Sequence, residues 1–188
     1  MSALPAPPFD SPPVTVEPRS RVLRGRLRRA GLSLAGRLYA RPQARPAPRS
    51  LLLIRPDHLG DMLFLTPALH ALRRALPEAR ITLLAGPWGA EAVRNNADLD
   101  DVLLLPFPGF ERRPKKSAWA PYRLLREQAR RLRGAGYDTA VVLRFDHWWG
   151  AWLAAAAGIP CRIGYDLPDT RPFLTRRVGY QPGRHEVV

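Results

Sequence analysis

Seven consecutive residues, Arg55-Pro56-Asp57-His58-Leu59-Gly60-Asp61, bring a guanidinium, an imidazole and two carboxylates together between an apolar run and a helical stretch. Asp61 has two physical readings. At the start of a helix its charge offsets unpaired amides and the helix dipole, worth about 0.3 to 1 kcal/mol. The same placement suits a general base: the helix end and Arg55 keep the carboxylate ionised, and Gly60 leaves room for a substrate hydroxyl to approach. Asp57 is the competing cap, and if it caps the helix Asp61 is released for chemistry. His58 either orients a ligand or is a polar loop residue. A metal site is not expected from Asp57, His58 and Asp61, because no further firm ligand lies in sequence reach.

Other readings of this turn fail. A dinucleotide fingerprint needs three glycines at G-x-G-x-x-G, and the turn offers only Gly60; G-x-x-x-x-G-K-[ST] is absent from the chain. Two carboxylates would also repel a phosphate there. Arg112, Arg113, Lys115 and Lys116 form a second concentration, in a loop where they could meet phosphate or carboxylate groups. Arg144 and Asp146 hold a third ligand-side position, with an ion pair as the plainer reading. Trp119, Trp148, Trp149 and Trp152 read as packing residues, and His147, His70 and Cys161 as structural.

The elements that must hold these turns follow from the apolar runs. Leu51–Arg55, Arg80–Ala85, Val102–Leu105, Asp138–Leu143 and Arg162–Gly164 read as strands. Asp61–Leu76, Trp88–Arg94, Trp119–Arg133 and Trp148–Ala157 read as the helices between them, and Gly134-Ala135-Gly136 as a helix stop. Strands of near-continuous Leu, Ile and Val are covered on both faces, so the expected fold is α/β, a doubly wound parallel sheet, with ligands beyond the carboxyl ends of its strands.

Charge and proline content divide the chain. Its 188 residues carry a net +14. Ten arginines stand against Asp10 and Glu17 in residues 1–49, which also hold nine prolines. Residues 1–49 are therefore expected to be a Pro/Arg-rich tail, and 50–188 the globular domain. Within the tail, Leu23, Leu27, Ala30, Leu34 and Leu38 recur at helical spacing among arginines, the pattern of a basic amphipathic helix on an anionic membrane surface; a solvated, half-formed helix is the alternative, because Gly25, Gly31 and Gly36 weaken it. No apolar run approaches the ~20 residues that span a bilayer, and the N-terminus lacks the form of a secretory signal. With Cys161 the single cysteine, the chain reads as cytoplasmic. Nucleic-acid binding rests only on a pI near 11.4, without a recognisable motif, and is not expected.

The stretch Leu52–Leu72, LLIRPDHLGDMLFLTPALHAL, resembles the opening of glycosyltransferase family nine, the ADP-heptose:lipopolysaccharide heptosyltransferases, in which a strand ending in Arg leads to an LGD turn and a TPAL helix. Here these are Leu59-Gly60-Asp61 and Thr66-Pro67-Ala68-Leu69. The similarity runs on through Ala79–Leu84, Tyr137-Asp138, Leu143-Arg144 and Ala157–Pro160 to Arg162–Tyr165 and His185-Glu186-Val187. It implies a GT-B fold of two Rossmann-like halves, with this chain the N-terminal, acceptor-binding half. It implies inverting, metal-independent transfer with Asp61 as the base, and no cofactor beyond a nucleotide-sugar donor such as ADP-heptose. Arg55, Asp57, His58, Gly60, Arg112, Arg113, Lys115, Lys116 and Arg144 then become candidate contacts to an anionic, lipid-linked saccharide of the lipopolysaccharide type. The expected place of work is the cytoplasmic side of the inner membrane. The chain stops at Val188, so the donor-binding domain is expected to be missing and the chain alone inactive. The alternative is a non-enzymatic or degenerate α/β module that binds an anionic partner.

Overall fold

The structure, a computed structural model, describes residues 19–39, 47–110 and 117–181. Six parallel strands form one sheet in the order β3-β2-β1-β4-β5-β6: β1 (Ser50–Arg55), β2 (Arg80–Ala85), β3 (Asp101–Leu104), β4 (Thr139–Val142), β5 (Cys161–Tyr165) and β6 (Arg176–Val178). β1 lies at the centre, with Leu52 beside Thr82 on one flank and Ala140 on the other. Its four middle residues are buried because alternate side chains feed two cores. Leu52 and Ile54 join one built on α5 (Ala120–Gly134) and α6 (Trp148–Ala156). Leu53 joins the other with Met62, Leu65 and Leu69 from α2 (Leu59–Leu63), α3 (Thr66–Ala75) and the turn between them, beside α4 (Pro87–Ala90). The doubly wound parallel α/β sheet read from the apolar runs is the observed fold.

Three local expectations change. The single helix expected over 61–76 is two helices, because Pro67 has no N–H for the Leu63 carbonyl; the Thr66 hydroxyl donates to that carbonyl instead, at 2.9 Å. A sixth strand, β6, is exposed along its length and reads as Arg-Arg-Val, since an edge strand needs no apolar run. Its register is set next door, where the Arg162 amide donates to Thr175 Oγ1 at 2.8 Å and the Thr175 amide to the Arg162 carbonyl at 2.9 Å. Gly136 and Gly158 take positive φ of 71° and 78° where α5 and α6 turn into the next strands, as the helix-stop reading of Gly134–Gly136 requires.

The third change concerns the boundary near Ser50. The helix expected among the N-terminal arginines is present as α1 (Arg19–Arg37), and it is seated on the domain rather than apart from it. Leu32 is 5% exposed within the α5–α6 core. Gly36 lies so close to Pro172 that a β-carbon there would collide with it. Arg28 and Arg29 pair with Asp169. Past the helix, the Tyr39 carbonyl accepts a 2.9 Å bond from the guanidinium of Arg162, which also donates to the carbonyls of Ile159 and Phe173 at 2.5 and 2.6 Å. Burial lowers the pKa of Arg162, and these three carbonyls are what let a guanidinium stay inside. The sequence concealed this docking because the contact uses Leu32, Ala35 and Gly36, not the leucine stripe.

Candidate functional site

β1 and β4 end side by side, with Ile54 beside Val142 and the Leu143 amide donating to the Ile54 carbonyl at 3.1 Å. The turn 55–61 therefore meets the turn after β4 at the carboxyl edge of the sheet. There Asp57, with only 3% of its side chain exposed, accepts from Arg144 Nη1 at 2.5 Å and faces Arg55 Nε at 3.0 Å. Arg144 reaches on through Nε to Asp146 at 2.7 Å. Its guanidinium lies 5.3 Å from the Phe110 ring centre and 5.7 Å from that of Phe145. Burial would lower the Arg144 pKa, but the bonds it donates to Asp57 and Asp146 outweigh it and the net shift is upward. Gly89 on α4 closes the turn from below: a side chain there would strike the Asp57 carbonyl and Met62.

This arrangement separates the two aspartates. Asp57 is not the helix cap, and its carboxylate is turned inward onto two arginines. The residue that precedes α2 is His58, extended at φ −82° and ψ 174°, with no side-chain cap bond. Asp61 occupies the first turn of α2, part-exposed, and makes no hydrogen bond or ion pair among the described residues. Arg55, expected to hold Asp61 ionised, is engaged with Asp57. A β-carbon added to Gly60 would meet nothing within 4 Å among the described residues, so the turn beside Asp61 is uncrowded. Leu59 and Leu63 on the same short helix and Phe64 just after it are 51%, 50% and 63% exposed. The edge thus presents one uncommitted carboxylate beside apolar surface, above a clamped pair of arginines. Such a carboxylate can accept a proton from a hydroxyl brought to it.

Of the remaining candidates, His58 is exposed on this turn, whereas Arg112, Arg113, Lys115 and Lys116 lie outside the described residues. No group of three or more His, Cys, Asp or Glu residues is placed to hold a metal ion among the described residues. His147, which the sequence reading set aside as structural, sits at the heart of the edge. It is 5% exposed, with its ring 5.1 Å from Phe107, 5.7 Å from Phe110 and 6.5 Å from Trp149. Neither ring nitrogen has a partner among the described residues, and burial lowers its pKa to about 4. With Phe110, Tyr122, Asp146, Trp148 and Trp149 it lines a recess of about 370 Å³. The available signal was its position just after a strand, on the ligand side. Trp119, read as packing, is 76% exposed.

Comparison with known proteins adds the following. No protein-family model matches the sequence, and no curated protein sequence matches it. Among solved structures, the glycosyl transferase family 9 protein from Veillonella parvula superposes with a TM-score of 0.61 at 23% identity, over 78% of this chain and 40% of that one. E. coli ADP-heptose lps heptosyltransferase II gives 0.54 at 22%, over 66% of this chain and 33% of that one. The E. coli heptosyltransferase WaaC, solved with ADP-2-deoxy-2-fluoro heptose, gives 0.58 at 19%, over 73% and 44%. The chain shares the fold of these glycosyltransferases and spans less than half the length of each.

Proposed function

We propose that this chain is the acceptor-binding half of a heptosyltransferase-like glycosyltransferase, with Asp61 as the general base. What carries the reading is the pairing of two observations: a fold shared with less than half of each of three such enzymes, and, among the described residues, an uncommitted carboxylate just beyond the carboxyl end of the central strand. In the reaction, Asp61 takes the proton of an acceptor hydroxyl as its oxygen attacks the anomeric carbon of a nucleotide sugar. The bond from that carbon to the nucleoside diphosphate breaks, the diphosphate leaves with the electron pair, and the configuration inverts. Arg55, Asp57 and Arg144 hold the turn rigid, so that Asp61 and His58 face the acceptor in a fixed geometry.

The acceptor is an anionic, lipid-linked saccharide of the lipopolysaccharide type, presented at the cytoplasmic side of the inner membrane and met by Arg112, Arg113, Lys115 and Lys116. The donor, a nucleotide sugar such as ADP-heptose, belongs to a second half. The loop after β1 argues for that division, since it offers one glycine and two aspartates where a diphosphate needs a run of backbone amides. No metal or further cofactor enters this scheme. Alone, the 188-residue chain binds an anionic saccharide weakly and in a salt-sensitive way, and it transfers nothing. Calorimetric titration tests this. Saccharide binding that fades with salt, with no heat from an ADP-sugar, is the expected result. Micromolar ADP-sugar binding would assign the wrong half of the reaction to this chain. Absence of saccharide binding would favour a module with another partner.

A further inference from the structure

We propose that the outward face of α1 is a docking surface for an anionic lipid bilayer. At 3.6 residues per turn, Leu27 and Leu34 fall about 20° apart on the helix, and Leu38 follows in the turn just past its end. They are 66%, 65% and 81% exposed. Leu32 and Gly36, which touch the domain, lie on the opposite side. A leucine stripe on a helix of a globular domain ordinarily turns inward, because burying each leucine releases apolar surface from water. Here the roll of the helix is fixed against that. The close approach of Gly36 to Pro172 admits no side chain, Asp169 holds Arg28 and Arg29, and Arg162 binds the Tyr39 carbonyl just beyond the helix. These contacts come from two parts of the domain surface, the 169–172 turn and β5, and all of them leave the stripe facing out.

Charge identifies what covers the stripe. α1 contains seven arginines and no acidic residue, and Arg26 and Arg37 are exposed beside the leucines. Guanidinium heads on apolar stems reach past a leucine strip to the phosphates of a headgroup layer while the leucines enter the acyl boundary. Aromatic residues extend the surface on this side of the sheet. Arg28 lies over Trp148 at 6.0 Å, Trp148 meets Trp152, Trp152 meets Tyr122, and Tyr122 meets Trp119, with ring separations of 5.8 to 6.3 Å. Trp119 and Tyr122, at the far end of that ladder, are 76% and 42% exposed. Trp and Tyr favour the water–lipid boundary. No helix among the described residues is long and apolar enough to cross a membrane, so the contact is one that lies in the interface.

The test is flotation of the full 188-residue chain with vesicles of phosphatidylglycerol and phosphatidylcholine, and with phosphatidylcholine vesicles alone. The chain is expected to float with the anionic vesicles only, and less as salt rises. Combined Leu27→Ser, Leu34→Ser and Leu38→Ser should lower the partition about tenfold or more with the unfolding temperature unchanged, because Leu32 and Gly36 are untouched. Arg26→Gln with Arg37→Gln should lower it and flatten its salt dependence. Equal flotation with both vesicle types, or a triple variant that floats like wild type, would overturn the proposal. So would a triple variant that loses thermal stability, which would mean that the chain itself covers the stripe. A wild-type dimer that the triple variant dissolves would assign the face to a second copy instead.

Discussion

Replacing His147 by Phe should remove a specific part of the acid sensitivity of this protein. The ring is 5% exposed, and neither nitrogen is hydrogen-bonded among the described residues. Burial pulls its pKa from 6.5 to about 4; Asp57 and Asp146 oppose this, and Arg144 adds to it. Between those two values the unfolded chain binds a proton that the folded chain refuses. The contribution to stability is therefore complete above about pH 6.5 and is lost as the pH falls toward 4. Integrated from pH 7.5 to pH 5, the loss is about 2 kcal/mol, and a folded pKa one unit higher still leaves more than about 1.5 kcal/mol. Urea titrations of wild type and His147→Phe at the two pH values measure it, since each protein serves as its own reference. The wild type should lose about 2 kcal/mol more than the variant between pH 7.5 and 5. If Phe disturbs the packing against Gly150, His147→Gln gives the same comparison at the cost of a new polar group. Equal losses in wild type and variant would refute a neutral, desolvated imidazole at this edge.

Asp57→Ala leaves Arg55 and Arg144 without their shared carboxylate, and should cost about 3 kcal/mol in urea unfolding, the low end for a buried pair because Arg144 keeps Asp146. Adding Arg144→Met should cost less than the sum of the single changes. Gly36→Leu puts a side chain where Pro172 stands, so trypsin should cut after Arg26 and Arg37 much faster and the unfolding temperature should fall, because Leu32 leaves the α5–α6 core and the Arg162 guanidinium loses the Tyr39 carbonyl. Gly150→Ala drives a methyl group against the His147 ring and Ile54, and should lower stability by about 1 to 3 kcal/mol.

How much of this could be read in the sequence depends on which force fixes each element. The strands buried on both faces, β1 and β2, announce themselves as LLLI and ITLLA because the hydrophobic effect demands it. β6 does not, since its partner on one side alone supplies the ladder and its side chains face water. The Thr66-Pro67 break was available in the residues, yet the apolar spacing of Leu65, Leu69 and Leu72 continues across it and masks it. At the site, the clustering of Arg55, Asp57, His58 and Asp61 was visible, but which aspartate is free was not. That choice is made by Arg144, which lies 87 residues from Asp57 in the chain and reaches it only through the pairing of β1 with β4. His147 was hidden for the same reason, because its neighbours Phe107 and Phe110 come from the loop after β3.

The role of Asp61 is tested most directly by turnover, measured with this chain joined to a donor-binding half. Asp61→Asn keeps the size and helix-end position of the side chain but cannot accept the acceptor's proton. It should lower kcat by about 10² to 10⁴-fold, with acceptor binding and the unfolding midpoint held near wild type. An Asn variant that turns over at close to the wild-type rate would contradict the assignment of Asp61 as the base.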